Sequence, residues 1–233
     1  MNVLLLFQEF QLDSTSVGTE PTVTSQSFLD IVLNSGTFGI IIVALQLILS
    51  AIGVYIFIER YLTIRRAAQV DDHFMNNIRM NVQTGNIQGA KALCQTTDSP
   101  VARMMEKGLQ RIGKPLRDID AAIENVGNLE VFKLEKNLST LASIAGATPM
   151  LGFLGTVTGM ILSFQTMAVQ ESVTPAALAT GIYQALITTA FGLIVGIAAY
   201  IGYNVLVSNV EKVVFKMERS TTEFMDLLQE PGA

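Results

Sequence analysis

The 233-residue sequence has few charged and few reactive side chains. It contains one Cys, one His and no Trp, and only 15% of its residues are charged. A single Cys excludes a disulfide within the chain, and His73 has no second His or Cys nearby with which to bind zinc. We therefore expect no metal site, no cofactor and no nucleic-acid partner, and we expect Cys94 to be a small buried apolar residue.

Charge is also missing from long stretches of the chain. Between Lys136 and Glu211 the only charged residue is Glu171, and a further apolar stretch covers residues 31–58. A helix needs about 20 consecutive apolar residues to cross the hydrocarbon core of a bilayer. The pattern therefore predicts an all-α membrane protein with three transmembrane helices.

Basic residues are absent from the first part of the chain, and their positions predict its orientation. All 15 Lys and Arg residues lie between Arg60 and Lys136 or beyond the last apolar stretch. The positive-inside rule places these residues in the cytoplasm and the N-terminus in the periplasm. The predicted division is a periplasmic N-terminal segment at 1–35, transmembrane helices at 36–58, 147–169 and 177–203, a cytoplasmic helical domain at 59–146, a periplasmic turn at 170–176 and a cytoplasmic C-terminal helix at 204–233.

The N-terminal segment begins with a short apolar run at residues 3–7. No basic residue precedes it, and Glu9 and Asp13 interrupt it early, which is not typical of a signal peptide. We interpret it as a retained helix on the periplasmic side, with a cleaved signal as the alternative.

The cytoplasmic part is predicted to be entirely helical. Ser99 and Pro100 are typical of a helix N-cap and its first helical position. Apolar residues at three- and four-residue steps predict a continuous helix from 115 to 168, and a similar pattern extends the third transmembrane helix beyond the bilayer. Because one chain has little with which to cover the apolar faces of two such extensions, we expect an oligomer.

Small and polar residues share faces of the last two transmembrane helices. In the second, the face consists of Thr148, Gly152, Gly155, Thr156, Gly159, Ser163 and Thr166. In the third, one stripe consists of Gly181, Ala185, Thr189, Gly192 and Gly196, and a polar ladder consists of Thr180, Gln184 and Thr188. Pro149 removes a helical hydrogen bond near the cytoplasmic end of the second helix, so we expect a bend there.

Two interpretations of these faces stay open. Small residues and threonines can simply pack helices together, or they can form the wall of an ion pathway. The amide of Gln184, deep in the third helix, favours a polar partner or a wet cavity. No side chain in the last two transmembrane helices can carry a proton by ionising, so a titrating group would have to come from another chain. The same absence argues against an enzyme, which would need a base or clustered carboxylates.

Two segments carry a resemblance to a known family. They are ATPMLGFLGTVTGM at 147–160 and GIYQALITTAFGL at 181–193. In this order and orientation they resemble the MotA/TolQ/ExbB proton-channel family, most of all its ExbB branch. The resemblance covers roughly residues 36 to 225 and is strongest in the last two transmembrane helices.

The resemblance implies a homopentamer whose pore holds the single-span helices of a partner similar to ExbD or TolR. It implies that the partner supplies the proton-carrying Asp and that Thr156 and Thr189 occupy the pore-threonine positions. It further implies a channel in the inner membrane of a Gram-negative bacterium that uses the proton-motive force to energise TonB-dependent outer-membrane transport. We expect Thr188 and Gln184 to belong to the ion pathway, and Gly152, Gly155, Gly159, Gly192 and Gly196 to pack the helices.

The sequence departs from the family pattern at two positions of the third transmembrane helix. Gln184 stands where many members have Glu, and Ala198 stands where they have Pro. A neutral Gln184 has no proton to relay by titration. The adjacent hydroxyls of Thr188 and Thr189 leave sodium open as the alternative ion. A motor of the TolQ kind, serving envelope integrity, and a passive scaffold that clamps partner helices are the alternative functions.

Overall fold

A computed structural model of the protein describes residues 36–69, 72–169 and 175–229. The predicted N-terminal segment at 1–35 and most of the predicted turn at 170–176 lie outside the described residues. Every regular element within these ranges is an α-helix, as predicted. The helices are α1 Gly36–Ala68, α2 Asp72–Gln83, α3 Ile87–Thr96, α4 Pro100–Leu109, α5 Leu116–Glu135, α6 Leu138–Val169 and α7 Pro175–Gln229.

Three helical stretches are long and apolar enough to cross a membrane: Phe38–Ala68, Leu116–Val169 and Ala179–Gln229. Their number confirms the prediction of three transmembrane helices. Helix α7 has 55 residues and is about 80 Å long at 1.5 Å per residue. Because a hydrocarbon core is only about 30 Å thick, much of α7 extends beyond it.

The helix predicted to run without a break from 115 to 168 is interrupted, and that prediction is wrong. Helix α5 ends at Glu135 and α6 begins at Leu138. Between them Asn137 has a φ of 63°, a left-handed conformation that Asn adopts more readily than most residues. The apolar periodicity continues across this turn, which is why the sequence pattern does not indicate it.

Short helices precede α5 and are capped by local side chains. Ser99 accepts a hydrogen bond from the backbone N–H of Ala102, and Pro100 is the first residue of α4, which confirms the predicted helix start. Asn86 caps α3 in the same way by accepting from the N–H of Gly89. These caps satisfy donors that the first turn of a helix otherwise leaves unpaired.

Outside the transmembrane segments, side chains of α4, α5 and the C-terminal part of α7 pack together in an apolar core. Phe224 and Ile123 are 0% exposed, and a Cβ on Gly108 would lie 2.7 Å from the ring of Phe224 and 2.8 Å from Ile123 Cδ1. Val213 and Met217, which belong to the apolar pattern that extends the third transmembrane helix, are also buried. The chain thus covers the inner face of its own α7 extension. The apolar pattern of this extension therefore does not support the expectation of an oligomer.

An arginine joins α1 to the end of α5. Arg60 is 6% exposed, and its guanidinium donates to the carbonyl of Lys133 at 3.0 Å. It also pairs with the carboxylate of Glu59. The last carbonyls of a helix have no helical donor, so Arg60 satisfies one of them where α5 ends. This contact orients α1 relative to the helices outside the bilayer.

Candidate functional site

Helices α6 and α7 approach closely along the predicted glycine face of α6. A Cβ on Gly152 would lie 3.0 Å from both the carbonyl oxygen of Thr188 and the Cα of Thr189. A Cβ on Gly155 would collide with the hydroxyl of Thr188, and one on Gly159 would lie 2.7 Å from the Cβ of Ala185. The structure therefore places these three glycines against α7, where the absence of a side chain lets the backbones meet.

Two glycines of α7 extend this contact toward Thr148 and Pro149. A Cβ on Gly192 would lie 2.8 Å from the carbonyl oxygen of Thr148. A Cβ on Gly196 would overlap the ring of Pro149, 2.7 Å from its Cδ. Helix α6 continues through Pro149, and the proline ring occupies the space that Gly196 leaves free.

Thr189 makes a hydrogen bond between two transmembrane helices. Its hydroxyl donates to the carbonyl oxygen of Gly152 at 2.7 Å, and its side chain is half-buried. A threonine hydroxyl has one hydrogen and two acceptor lone pairs. The oxygen of Thr189 therefore keeps acceptor capacity for a water or a partner group.

The side chains of the predicted pathway residues Thr188 and Thr156 donate hydrogen bonds to carbonyls of their own helices. The Thr188 side chain is 3% exposed and donates to the carbonyl of Ala185 at 2.7 Å. Thr156 is half-buried and donates to the carbonyl of Phe153 at 2.7 Å. Gln184, one turn before Thr188, is half-buried. The structure thus joins Thr188 and Thr189 to the glycine face of α6, while the hydroxyl of Thr156 bonds its own helix.

Gln46 of α1 joins Thr188 and Thr189 in a polar centre between the transmembrane helices, and the sequence pattern did not indicate it. Gln46 is 0% exposed, and its side-chain nitrogen donates to the carbonyl oxygen of Thr188 at 3.2 Å. A Cβ on Gly192 would lie 2.7 Å from that nitrogen. The available signal was an amide inside an otherwise apolar stretch.

This polar centre contains no charged side chain. Helix α6 has no Asp, Glu, Lys, Arg or His, and α7 has none before Glu211. Hydroxyls and amides can pass a proton along hydrogen bonds or bind an ion through oxygen, but they do not store a proton near neutral pH. A group that takes up and releases a proton must be supplied from elsewhere.

A charged side chain is buried between α4 and α5, at Glu130. Its carboxylate is 4% exposed and accepts hydrogen bonds of 2.7 Å from both Arg103 and Lys133. Burial raises the pKa of Glu130, but the hydrogen bonds from Arg103 and Lys133 outweigh it and leave the pKa below its ordinary value. Arg103 also pairs with Asp98 at 2.6 Å. This network stabilises the packing of α4 on α5.

No group of three His, Cys, Asp or Glu side chains suited to a metal ion occurs in the described ranges. Cys94 is 3% exposed, which confirms its predicted burial. Burial, with the nearby charge of Glu106, raises the pKa of its thiol to about 12. Cys94 therefore stays protonated and unreactive at neutral pH.

Comparison with known proteins agrees with this arrangement. A model of the MotA/TolQ/ExbB proton channel family matches residues 96–219. An ExbB homologue from Methanothermobacter thermautotrophicus is 29% identical over 82% of this chain and 71% of its own length. The Tol-Pal system protein TolQ of Pseudomonas aeruginosa is 27% identical over 90% of this chain and 96% of its own. An ExbB-like protein of Synechocystis is 30% identical over 70% and 80%, respectively. The chain belongs to the MotA/TolQ/ExbB proton channel family.

Proposed function

We propose that this chain is the pore-forming subunit of an inner-membrane proton channel motor. With a partner similar to ExbD, it uses the proton-motive force to energise TonB-dependent outer-membrane transport. The observation that carries the proposal is the uncharged polar centre at Thr188 and Thr189, set within α6 and the part of α7 before Glu211, which contain no Asp, Glu, Lys, Arg or His. Such a wall can guide a proton but has no residue to carry it.

The missing carrier is the Asp of the partner helix. An ionised carboxylate is costly at the depth of the bilayer, and protonation removes that cost. Each proton that binds the Asp therefore lets the partner helix shift against the pore wall, and each release restores the charge. The cycle converts the ion gradient into movement, which a TonB-like protein transmits to the outer membrane.

The threonines of the wall have different tasks in this scheme. Thr189 donates its only hydrogen to the carbonyl of Gly152, so its oxygen accepts from the protonated Asp or from water. Thr156 donates to its own helix and likewise offers an acceptor. Neutral Gln184 contributes an amide to the pathway without titrating. Protons pass between these groups and the partner Asp through water.

The proposed assembly is a homopentamer around the partner helices. Part of the surface available for it lies outside the transmembrane segments, on α5, where Leu129 is 61% exposed and Phe132 is 74% exposed. Contacts between copies would cover such apolar side chains. The N-terminus faces the periplasm and the C-terminus the cytoplasm of a Gram-negative bacterium, as the distribution of Lys and Arg supports.

Proton flux into proteoliposomes tests the proposal, with the chain reconstituted alone and together with its partner. We expect flux only with the partner, and we expect Thr189→Val and Thr156→Val to abolish it while the oligomer still assembles. Thr63→Val is the matched control, because Thr63 also donates to a carbonyl of its own helix but lies on α1. The absence of partner-dependent flux would favour a passive scaffold, and flux that depends on sodium at constant pH would replace the proton by sodium.

A role in envelope integrity is the second candidate, favoured by the alignment with TolQ over 96% of its length. The two functions differ in the process that fails when the chain is lost. Deletion should abolish energised uptake across the outer membrane in the first case. Leakage of periplasmic proteins with normal uptake would support the TolQ-like function instead.

A further inference from the structure

Gln46 holds a backbone carbonyl that is already part of a helix. The carbonyl of Thr188 accepts the helical N–H four residues later with one lone pair, and its second lone pair remains available. The amide nitrogen of Gln46 reaches that oxygen at 3.2 Å from α1. The contact is fully enclosed, because Gln46 is 0% exposed.

The approach of Gln46 depends on the neighbouring helices. Gly192 has no side chain, and a Cβ there would lie 2.7 Å from the amide nitrogen of Gln46 and 2.8 Å from the carbonyl oxygen of Thr148. Helices α1, α6 and α7 therefore meet at one point beside Thr188. The next residue, Thr189, is the one whose hydroxyl donates a hydrogen bond to Gly152 of α6.

Two consecutive residues of α7 are thus held by two different helices. The carbonyl of Thr188 accepts from Gln46 of α1, and the hydroxyl of Thr189 donates to Gly152 of α6. We propose that Gln46 is a positioning residue for the ion pathway, which sets the depth and rotation of α7 so that the hydroxyl of Thr189 faces the partner Asp. This inference rests on the proposed function of Thr189.

A role in packing alone does not account for Gln46. Its amide oxygen is buried and has no hydrogen-bond partner among the described residues. A buried acceptor without a donor destabilises a protein, whereas an apolar side chain of similar length carries no such cost. For stability, Met would serve as well as Gln at this position. The hydrogen bond to Thr188 is the one property that Met lacks.

The first test is Gln46→Met in the complex with the partner, reconstituted in proteoliposomes. We expect the rate of proton flux to fall by about tenfold or more, since displacement of a reacting group by about 1 Å has effects of that size. The midpoint of thermal unfolding should be unchanged or higher. Gln88→Met makes the same change at an exposed amide of α3 and should leave both quantities unchanged. Wild-type flux in Gln46→Met would overturn the inference.

The second test is Gln46→Glu, which does not depend on the stability of the Met variant. A protonated carboxyl can donate to the carbonyl of Thr188, whereas a carboxylate cannot. No Asp, Glu, Lys, Arg or His of α6, and none of α7 before Glu211, faces this position, and the nearest charged residue further along α1 is Glu59. Flux should therefore be close to wild type at low pH and fall more steeply as the pH rises.

The outcomes separate the two proposals. A Gln46→Glu variant whose pH profile matches that of the wild type would overturn the positioning role and leave the proposed function intact. A wild-type complex without partner-dependent flux would overturn both. Reduced flux in Gln46→Met with an unchanged unfolding midpoint, together with a shifted pH profile in Gln46→Glu, would support the inference.

Discussion

The transmembrane part of this protein and the part outside the bilayer are held together by different contacts. Outside, large apolar side chains such as Phe224 fill a core, and the buried carboxylate of Glu130 is paired with two cations. Between α6 and α7, glycines meet backbone atoms and threonines, as Gly152 does with Thr188 and Thr189. The same chain thus uses bulky side chains in one region and small ones in the other.

The difference follows from the solvent that each region faces. In water, burying apolar area stabilises a fold by about 25 cal/mol per Å². In lipid that gain is absent, because the hydrocarbon tails are as apolar as the side chains, so close backbone contact and hydrogen bonds decide the packing. A change that removes volume should therefore be most harmful outside the bilayer, and a change that adds volume should be most harmful between the transmembrane helices.

The largest expected effect is the loss of volume at Phe224. Its side chain is 0% exposed between α4, α5 and α7, so Phe224→Ala should destabilise this core by about 3–5 kcal/mol. Chemical denaturation of the solubilised protein, followed by circular dichroism, measures the change. Phe215→Ala is the matched control, since Phe215 is 66% exposed on the same helix. Equal effects of the two variants would contradict the proposed core.

The addition of one methyl group at Gly152 should have the second-largest effect on stability. In Gly152→Ala the new Cβ would lie 3.0 Å from backbone atoms of Thr188 and Thr189, so α6 and α7 must separate. Overpacking of this kind costs about 1–3 kcal/mol, and the midpoint of thermal unfolding in detergent should fall. Gly146→Ala makes the same change in the same helix at a position with no neighbouring atom within 4 Å. A lower midpoint in that control would show that helix contact is not the cause.

Charge pairing at Glu130 should produce a smaller and pH-dependent effect. Glu130→Gln removes the negative charge between Arg103 and Lys133, which should cost about 1–2 kcal/mol, because hydrogen bonds to charged groups contribute slightly more than neutral ones. The pKa of Glu130 lies below its ordinary value of 4.5. Its carboxylate therefore stabilises the fold above about pH 4.5, and this contribution is lost as the pH falls through the lowered pKa.

Unfolding measurements on the wild type and Glu130→Gln across this pH range provide the check. The difference between them should be largest near pH 7 and should shrink in acid. Glu124→Gln, an exposed carboxylate on the same helix, should show no such difference. A gap between wild type and Glu130→Gln that stays constant with pH would contradict the assignment.

The smallest effect is expected at the turn between α5 and α6. Asn137 has a φ of 63°, which most residues adopt at a cost of about 1 kcal/mol or slightly more. Asn137→Ala should therefore lower stability by about 1 kcal/mol, whereas Asn137→Gly should be close to neutral. The midpoints of thermal unfolding of both variants, compared with that of the wild type, measure these changes. If Ala were tolerated as well as Gly, a continuous helix through this point would be the better description.

The fold was largely predictable because lipid imposes a strong constraint on composition. Stretches without charge indicated three transmembrane helices, and Ser99 with Pro100 marked the start of α4. The break at Asn137 was not predictable, because the apolar pattern continues on both sides of it. The burial of Val213 and Met217 within their own chain was also missed, since periodicity shows that a face is apolar but not what covers it.

The candidate site was predictable in its residue types and less so in its contacts. Helical spacing placed Gly152, Gly155 and Gly159 on one face of α6, but it did not show that this face meets Thr188 and Thr189. Gln46 lies 142 residues from its partner Thr188 in the sequence. No local pattern connects two positions so far apart.

The sequence by itself determined where this protein lies and what its transmembrane helices lack. The near absence of charge between Lys136 and Glu211 required a bilayer and left the polar centre without a titrating group, because a charge that is unpaired in lipid is costly. Only the tertiary structure decided which small residues meet and which helix holds Thr188. Those choices depend on the distances between backbones of separate helices, and such distances are set when the helices pack together.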